Sequence, residues 1–198
     1  AKNAYEKMYP ASTTKLMTAI LTLENCKLTD TAIVSHNAIY SIPVGYSHAS
    51  LKEDEELTIE QLLNVLLIPS ANDAAIVLAE HISGSVEKFS KLMNEKAKSL
   101  GCLNTNFVNP NGIQNKNHYS TAYDLALIGK YALKFPDIKR IAMVKQYTLP
   151  TTNKYDKTDR IFNATNGLIN DDVLNKNYYE YATGLKTGYT DASGYCIV

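Results

Sequence analysis

The 198-residue sequence contains no tryptophan and only three cysteines, Cys26, Cys102 and Cys196. These cysteines form neither a CxxC pair nor a cluster with histidine, which argues against a zinc knuckle and against a disulfide framework. Lysine and arginine together number 20, as do aspartate and glutamate, so the formal net charge is zero. Nothing in this balance suggests a nucleic-acid partner. The sequence also lacks an apolar run of about 18 residues, the usual sign of a membrane-spanning helix.

The apolar residues that are present predict several amphipathic helices in one globular domain with a sizeable core. They make up 45% of the sequence together with the aromatic residues. Leu16, Ala19, Ile20 and Leu23 follow the i, i+3, i+4, i+7 spacing of a buried helical face. Further helices are predicted over residues 59–68, 71–82, 86–100 and 122–133.

Local signals place the boundaries of these helices. Thr58 with Gln61, and Thr121 with Asp124, are spaced as capping boxes, and Pro69 is expected to interrupt a helix. Residues 35–50 suggest a loop region, and residues 146–182 are polar and predict short strands and loops. The segment "GLKTGYT" leads into the strand-like run "GYCIV". The prediction is a helix-rich domain with at least one strand, which carries the lysine of "KTG".

Ser12 and Lys15 lie three residues apart at the start of the first predicted helix. A serine hydroxyl becomes a good nucleophile when a base takes its proton, and a lysine with a lowered pKa can be that base. Backbone N–H groups at a helix start also favour developing negative charge. The same spacing recurs at Ser85 and Lys88, where it indicates an ordinary cap and a solvated lysine. By itself, therefore, the pattern favours a capped helix.

Ser70 and Asn72 follow Pro69 at the predicted helix break. A break in the backbone can direct both side chains into a cleft, where a hydroxyl can relay a proton and a carboxamide can bind a peptide. The alternative is that either residue merely caps the next helix. Another Ser-x-Asn at Ser35 and Asn37 shows that this pattern is weak in isolation.

The sequence Lys186-Thr187-Gly188 occurs once, at the edge of the last predicted strand. Lysine supplies a cation, threonine a hydroxyl, and glycine allows close approach of another backbone. Such an edge can pair with an extended peptide. A glycine turn beside a solvated lysine is the alternative.

SxxK, SxN and KTG in this order form the motif set of penicillin-binding proteins and class A β-lactamases. The chain resembles the low-molecular-mass penicillin-binding proteins that are serine-type D-alanyl-D-alanine carboxypeptidases. The resemblance covers essentially the whole chain. It is carried by the blocks "YPASTTKLMTA", "LLIPSANDAAIVLAEHISGS", "FVNPNGIQNKNHYSTAYDLALI" and "GLKTGYTDASGYCIV".

The resemblance implies catalytic roles for three residues. Ser12 would attack the carbonyl of the penultimate D-alanine, Lys15 would act as its base, and Ser70 would pass a proton to the departing D-alanine. Asn72 would hold the substrate amide. Water would then hydrolyse the acyl-enzyme, and penicillins would acylate Ser12 in the same way and leave slowly.

The resemblance also assigns the substrate-binding strand. Lys186 and Thr187 would orient the terminal carboxylate beside Gly188, and the oxyanion hole would combine the backbone N–H groups of Ser12 and Tyr189. No metal or organic cofactor is implied. The implied substrate is a peptidoglycan pentapeptide ending in D-Ala-D-Ala, and the implied location is outside the bacterial cytoplasmic membrane.

The implied fold is α+β, a multi-layer sandwich in which a helical subdomain packs beside an antiparallel sheet, as in β-lactamases and DD-peptidases. Residues 1–198 are expected to form a single catalytic domain. Family members carry strands before SxxK and after KTG, so we expect this chain to lack them, to lack the C-terminal membrane anchor and to end inside a lone KTG strand.

Three competing interpretations fit parts of the pattern. A class A β-lactamase needs a carboxylate in an ExxLN pattern, whose nearest match is "DDVLN" at 171–175, too close to KTG for the lactamase loop. A zinc peptidase would need HExxH, whereas His36, His48, His81 and His118 are widely spaced. A non-catalytic module that binds peptidoglycan would retain the fold without turnover.

Overall fold

The computed structural model describes residues 2–171 and 176–198. Short 3₁₀ turns at Ala11–Thr14 and Gly167–Ile169 accompany the regular elements. The helices are α1 (Lys15–Asn25), α2 (His36–Tyr40), α3 (Ile59–Leu67), α4 (Asn72–Ser83), α5 (Val86–Ser99), α6 (Ala122–Ala132) and α7 (Pro136–Ala142). The strands are β1 (Thr31–Ile33), β2 (Glu56–Thr58), β3 (Gln146–Leu149), β4 (Arg160–Asn163), β5 (Thr187–Thr190) and β6 (Gly194–Ile197). No helix within these two ranges has both the length and the apolar character that crossing a bilayer demands.

Helix α1 lies at the centre of the domain, where it contacts α3, α4, α5 and α6. Leu16, Ala19 and Ile20 are fully buried, as their spacing predicts. Even the polar Thr18 is buried, and its hydroxyl donates to the carbonyl of Pro110 at 2.6 Å. Because other helices surround α1, the turn that precedes it, with Ser12, is held against the core.

The predicted starts of α3 and α6 are confirmed, but only α3 has the complete capping box. Thr58 and Gln61 form the reciprocal capping box at the start of α3. Thr121 caps α6 by accepting from the Asp124 N–H at 3.1 Å. The Asp124 carboxylate, however, accepts from the backbone of Asn104 and the hydroxyl of Thr105, both at 2.8 Å, and not from the cap residue. An aspartate side chain is shorter than the glutamate or glutamine of a usual capping box, and here it attaches α6 to the loop at residues 104–105.

In the described part of the chain the strands form three two-stranded antiparallel sheets, β1–β2, β3–β4 and β5–β6, which together with the helices confirm the α+β prediction. The expectation of a lone KTG strand at the chain end is wrong. After Thr190 the chain turns and returns as β6, so that Gly188 faces Cys196 and Tyr189 faces Tyr195. Ser193 closes this turn by donating its N–H to the Thr190 carbonyl at 3.1 Å.

Two short helices, α2 and α7, are absent from the sequence predictions. Helix α2 has five residues and is capped by Ser35, whose hydroxyl accepts from the Ala38 N–H at 3.0 Å. One and a half turns are too few for a recognisable apolar stripe. Helix α7 begins at Pro136, where a fixed φ and a missing N–H suit a first helical position.

Candidate active site

Two glycines allow other segments to approach the turn that carries Ser12. Gly112 has φ +85°, and a Cβ on it would lie 1.8 Å from the Ala11 carbonyl oxygen. A Cβ on Gly188 of β5 would lie 2.9 Å from the Ser12 nitrogen. Side chains at these positions would displace the turn, so glycine is required where loop 109–112 and β5 meet Ser12.

The Lys15 ammonium group is fully buried and touches three oxygens. Its Nζ lies 2.9 Å from Ser12 Oγ, 2.9 Å from Asn72 Oδ1 and 2.7 Å from the Asn111 carbonyl. Burial, assisted by the nearby charge of Lys186, lowers the pKa of Lys15 well below its usual value. A neutral amine has two hydrogens and one lone pair. It can therefore donate to Asn72 and Asn111 while accepting the Ser12 proton, which is the arrangement a general base needs.

The Ser-x-Asn segment adopts the helix break that Pro69 predicts. Ser70 has φ +66°, a left-handed conformation that turns the chain between α3 and α4. Its Oγ is buried and, within the described part of the chain, has no hydrogen-bond partner. Asn72 opens α4 with its amide oriented by two neighbours: Oδ1 accepts from Lys15, and Nδ2 donates to the Ser47 carbonyl at 2.8 Å.

The second lysine of the site, Lys186, lies immediately before β5 and is 1% exposed. Its ammonium donates to the Thr187 carbonyl at 2.9 Å, and burial lowers its pKa to about 7. The Thr187 hydroxyl lies 2.7 Å from that of Thr165. Lys186 thus places a titratable cation beneath the strand, with a hydroxyl beside it.

The pairing of β5 with β6 determines where the Tyr189 backbone points. Lys186 and Val198 exchange two hydrogen bonds, at 3.2 and 3.0 Å. In an antiparallel ladder hydrogen-bonded and non-hydrogen-bonded pairs alternate, so the Tyr189–Tyr195 pair is of the non-bonded kind. The Tyr189 N–H therefore points to the edge of β5 that faces away from β6. Within residues 2–171 and 176–198, no backbone carbonyl at that edge accepts from it.

Ser12 lies at the junction of two cavities. One, of about 320 Å³, is also lined by Asn72, Tyr189 and the 44–47 loop. The other, of about 540 Å³, is also lined by Ser70, Thr187 and Tyr189. All eight residues predicted from the sequence thus converge here, with Lys15 and Lys186 buried beneath the cleft.

The sequence profile of the D-alanyl-D-alanine carboxypeptidase family, peptidase S11, matches residues 1–198. The chain belongs to this family.

Individual relatives agree with this assignment. The D-alanyl-D-alanine carboxypeptidase DacF of Bacillus subtilis is 39% identical over 201 residues, which are 99% of this chain and 48% of DacF. This chain thus spans about half the length of that relative. The D-alanyl-D-alanine carboxypeptidase of Streptomyces sp. strain K15 is 35% identical, over 100% of this chain and 69% of its own length.

Solved structures confirm the fold. The crystal structure of the Streptomyces K15 DD-transpeptidase superposes with a TM-score of 0.88 at 31% identity, covering 100% of this chain and 77% of that one. The DacD carboxypeptidase of Francisella tularensis gives a TM-score of 0.85 at 28% identity, covering 99% and 57%. The DD-peptidase-like α+β prediction is therefore confirmed.

Within this family fold, the structure adds Ser47 and Asp73, which the sequence interpretation did not assign to the site. The Ser47 hydroxyl donates to the Ser70 carbonyl at 2.7 Å. The buried Asp73 carboxylate accepts from the backbone N–H groups of Ala49 and Leu51 at 3.0 to 3.2 Å. Desolvation raises the pKa of Asp73. Together the two side chains attach loop 47–51 to the Ser-x-Asn segment, a contact without a local sequence signal.

The residues considered for a β-lactamase or a zinc peptidase, Asp171 and the histidines, do not form such a site. The Asp171 carboxylate pairs with the Lys145 ammonium at 2.6 Å on the surface, and the rest of "DDVLN", residues 172–175, lies outside the described residues. His36, His48 and His81 are exposed. In the described ranges no three or more His, Cys, Asp or Glu side chains gather as a metal site.

Proposed function

We propose that this chain carries the catalytic centre of a serine D-Ala-D-Ala carboxypeptidase that removes the terminal D-alanine from peptidoglycan stem peptides. The observation that carries the proposal is the contact between Ser12 Oγ and a fully buried Lys15 Nζ at 2.9 Å. Burial lowers the pKa of Lys15, so it can give up its own proton and take that of the serine more readily than a solvated lysine could.

Acylation follows from the positions of these groups. Ser12 Oγ attacks the carbonyl carbon of the penultimate D-alanine while its proton passes to Lys15 Nζ. The oxygen of the tetrahedral intermediate is stabilised by the N–H groups of Ser12 and Tyr189. The carbon–nitrogen bond then breaks, and the departing amine receives a proton through Ser70, whose buried hydroxyl is free to turn towards it. Water next cleaves the ester and releases Ser12.

Substrate orientation is the role we assign to β5. A peptide lying along the free edge of β5 would place its terminal carboxylate near Lys186 and the Thr187 hydroxyl. The close approach at Gly188 keeps that edge against Ser12. Asn72, already oriented by Lys15 and Ser47, would hold the substrate amide. β-Lactams, which carry a carboxylate and a strained amide, would acylate Ser12 by the same route.

The substrate places this reaction outside the cytoplasmic membrane, where peptidoglycan stem peptides are found. A class A β-lactamase activity is not supported, because Asp171 pairs with Lys145 at the surface instead of facing Ser12. The arrangement around Lys15 likewise favours turnover over passive binding of peptidoglycan, since binding alone requires no base beside a serine.

Two measurements test the proposal on the folded protein. Intact mass after incubation with penicillin should increase by one covalent adduct, and a peptide ending in D-Ala-D-Ala should release D-alanine. Ser12→Ala should abolish both, whereas Ser85→Ala, a serine in the same sequence pattern, should retain both. A folded wild type without an adduct and without released D-alanine would refute the proposal. Fast loss of the adduct with nitrocefin turnover would indicate a β-lactamase instead.

A further inference from the structure

His118 is a buried titratable side chain beside the site for which the proposed reaction provides no role. It is 2% exposed and lies in the loop before α6. Its Nδ1 accepts from the Val108 N–H at 3.1 Å, so the neutral ring carries its hydrogen on Nε2. That Nε2 lies 2.8 Å from Thr14 Oγ1 and therefore donates to it. Both ring nitrogens are thus engaged, each with a different segment of the chain.

The two segments that His118 joins are the ones that surround Lys15. Thr14 is fully buried and lies in the turn between Ser12 and Lys15. Val108 lies three residues before Asn111, whose carbonyl accepts from Lys15 Nζ at 2.7 Å. The imidazole therefore links the nucleophile turn to the loop that supplies an acceptor for the base. A second link, from the Thr18 hydroxyl to the Pro110 carbonyl at 2.6 Å, joins α1 to the same loop one turn further along the helix.

The surroundings of the ring keep it neutral. Burial, together with the charge of Lys15, lowers the pKa of His118 to about 4. The Phe107 ring covers one side, with centroids 5.5 Å apart. Thr14 and Val108 present uncharged groups, and the titratable Lys15 acts on the ring from α1 when it carries its proton. Protonation would turn Nδ1 into a donor facing the Val108 N–H, which would break that bond.

We propose that His118 is a positioning residue that holds the Ser12–Lys15 turn and the Asn111 carbonyl in register by bridging Thr14 and Val108. This inference rests on the proposed function. It adds that the position of the base, Lys15, depends on a residue outside the three motifs. His118 does not touch the reacting atoms. It acts through Thr14 on one side and through the 108–111 backbone on the other.

A double-mutant cycle tests this bridge. His118→Asn retains an acceptor near Val108 but is too short to reach Thr14, and Thr14→Val removes the hydroxyl and leaves the ring intact. Each variant should slow acylation by penicillin on the order of 10- to 100-fold, since small displacements of reacting groups cost about that much. The double variant should be no slower than either single one, because both remove one interaction. Thr14→Ser should restore the rate to within about threefold of wild type.

Two readouts separate positioning from a general loss of folding. Thermal midpoints identify variants that merely unfold, so rates are compared only where the protein remains folded. The pKa of Lys15, measured by NMR on ¹³C-labelled lysine, should rise in Thr14→Val, because a loosened turn admits water to a buried amine. Additive effects in the cycle, or an unchanged Lys15 pKa, would overturn the proposal. The NMR result holds even if wild type is not acylated, an outcome that would count against the proposed function alone.

Discussion

Two segments of this chain carry a serine followed three residues later by a lysine, and the structure gives them different environments. At the start of α5, Ser85 accepts from the Lys88 N–H at 3.2 Å and Lys88 is exposed. Before α1, Ser12 makes no capping bond, and its hydroxyl meets the fully buried Lys15. The first pair begins a surface helix. The second pair has the geometry of a nucleophile and its base.

The difference arises from the position of each helix in the domain. Helix α1 is enclosed by four other helices, and loop 109–112 covers its first turn, so Lys15 loses contact with water. Helix α5 exposes one face, and Lys88 lies on that face. Desolvation disfavours the charged form of a lysine. The same residue pair thus has the geometry of a nucleophile and its base only where the surrounding fold removes solvent.

The two Ser-x-Asn segments repeat this contrast. Ser35 caps α2 and donates to Glu80 at 2.5 Å, while Asn37 donates to the same carboxylate at 2.7 Å. Asn72 instead contacts Lys15, and the Ser70 hydroxyl has no protein partner among the described residues. In the first segment, therefore, both polar side chains bind the Glu80 carboxylate and have a structural role. In the second segment they face the cleft.

The largest expected effect comes from removing the buried lysine. Lys15→Ala should slow acylation by penicillin about 10²- to 10⁴-fold, the usual contribution of a general base. Lys88→Ala should leave the rate unchanged, because its side chain is solvated. Stopped-flow acylation kinetics measure both, with circular dichroism to verify folding. Equal losses in the two variants would contradict the distinction between the pairs.

A smaller effect should appear in the pH dependence of the acylation rate. We expect this rate to rise with pH as Lys15 loses its proton. The charge of Lys186 lowers the pKa of Lys15, and that of Asp73 raises it. Lys186→Met should therefore move the midpoint of the rise to higher pH, and Asp73→Asn should move it to lower pH. Acylation rates across the pH range provide the midpoints. Shifts in the same direction would show that Lys15 is not the titrating base.

The smallest effect should come from the surface pair. Ser85→Ala removes a helix cap, which costs about 1 kcal/mol of stability. For a domain of this size that corresponds to a fall of roughly 2–4 °C in thermal midpoint. Calorimetry measures the midpoint, and D-alanine release should remain at the wild-type rate. A loss of activity at an unchanged midpoint would place Ser85 in the site, contrary to its position on α5.

Local sequence signals predicted the elements whose causes are local. The apolar spacing around Ile20 located α1, Thr58 with Gln61 located the start of α3, and Pro69 located the break after it. The converging motif residues were also identified, since their side chains carry the chemistry. The turn after Thr190 was missed, because the strand-like composition on both sides concealed it.

The rest of the site depends on contacts that no side-chain pattern encodes. Lys15 is held by the backbone carbonyl of Asn111, and any residue at that position offers a carbonyl. Ser47 reaches the site from a loop without periodicity. His118 contacts Thr14, which lies 104 residues away in sequence. These contacts form only when the fold brings distant segments together, so they required the structure.

The environment of Lys186 has a thermodynamic consequence for anions. Its pKa of about 7 means that near neutral pH the population is divided between the charged ammonium and the neutral amine. A carboxylate bound beside it favours the charged form and raises that pKa. Anion binding is therefore linked to proton uptake from solution, and affinity falls as the pH rises above neutrality. A carboxylate bound beside Lys186 would therefore be held more tightly in acidic than in alkaline surroundings.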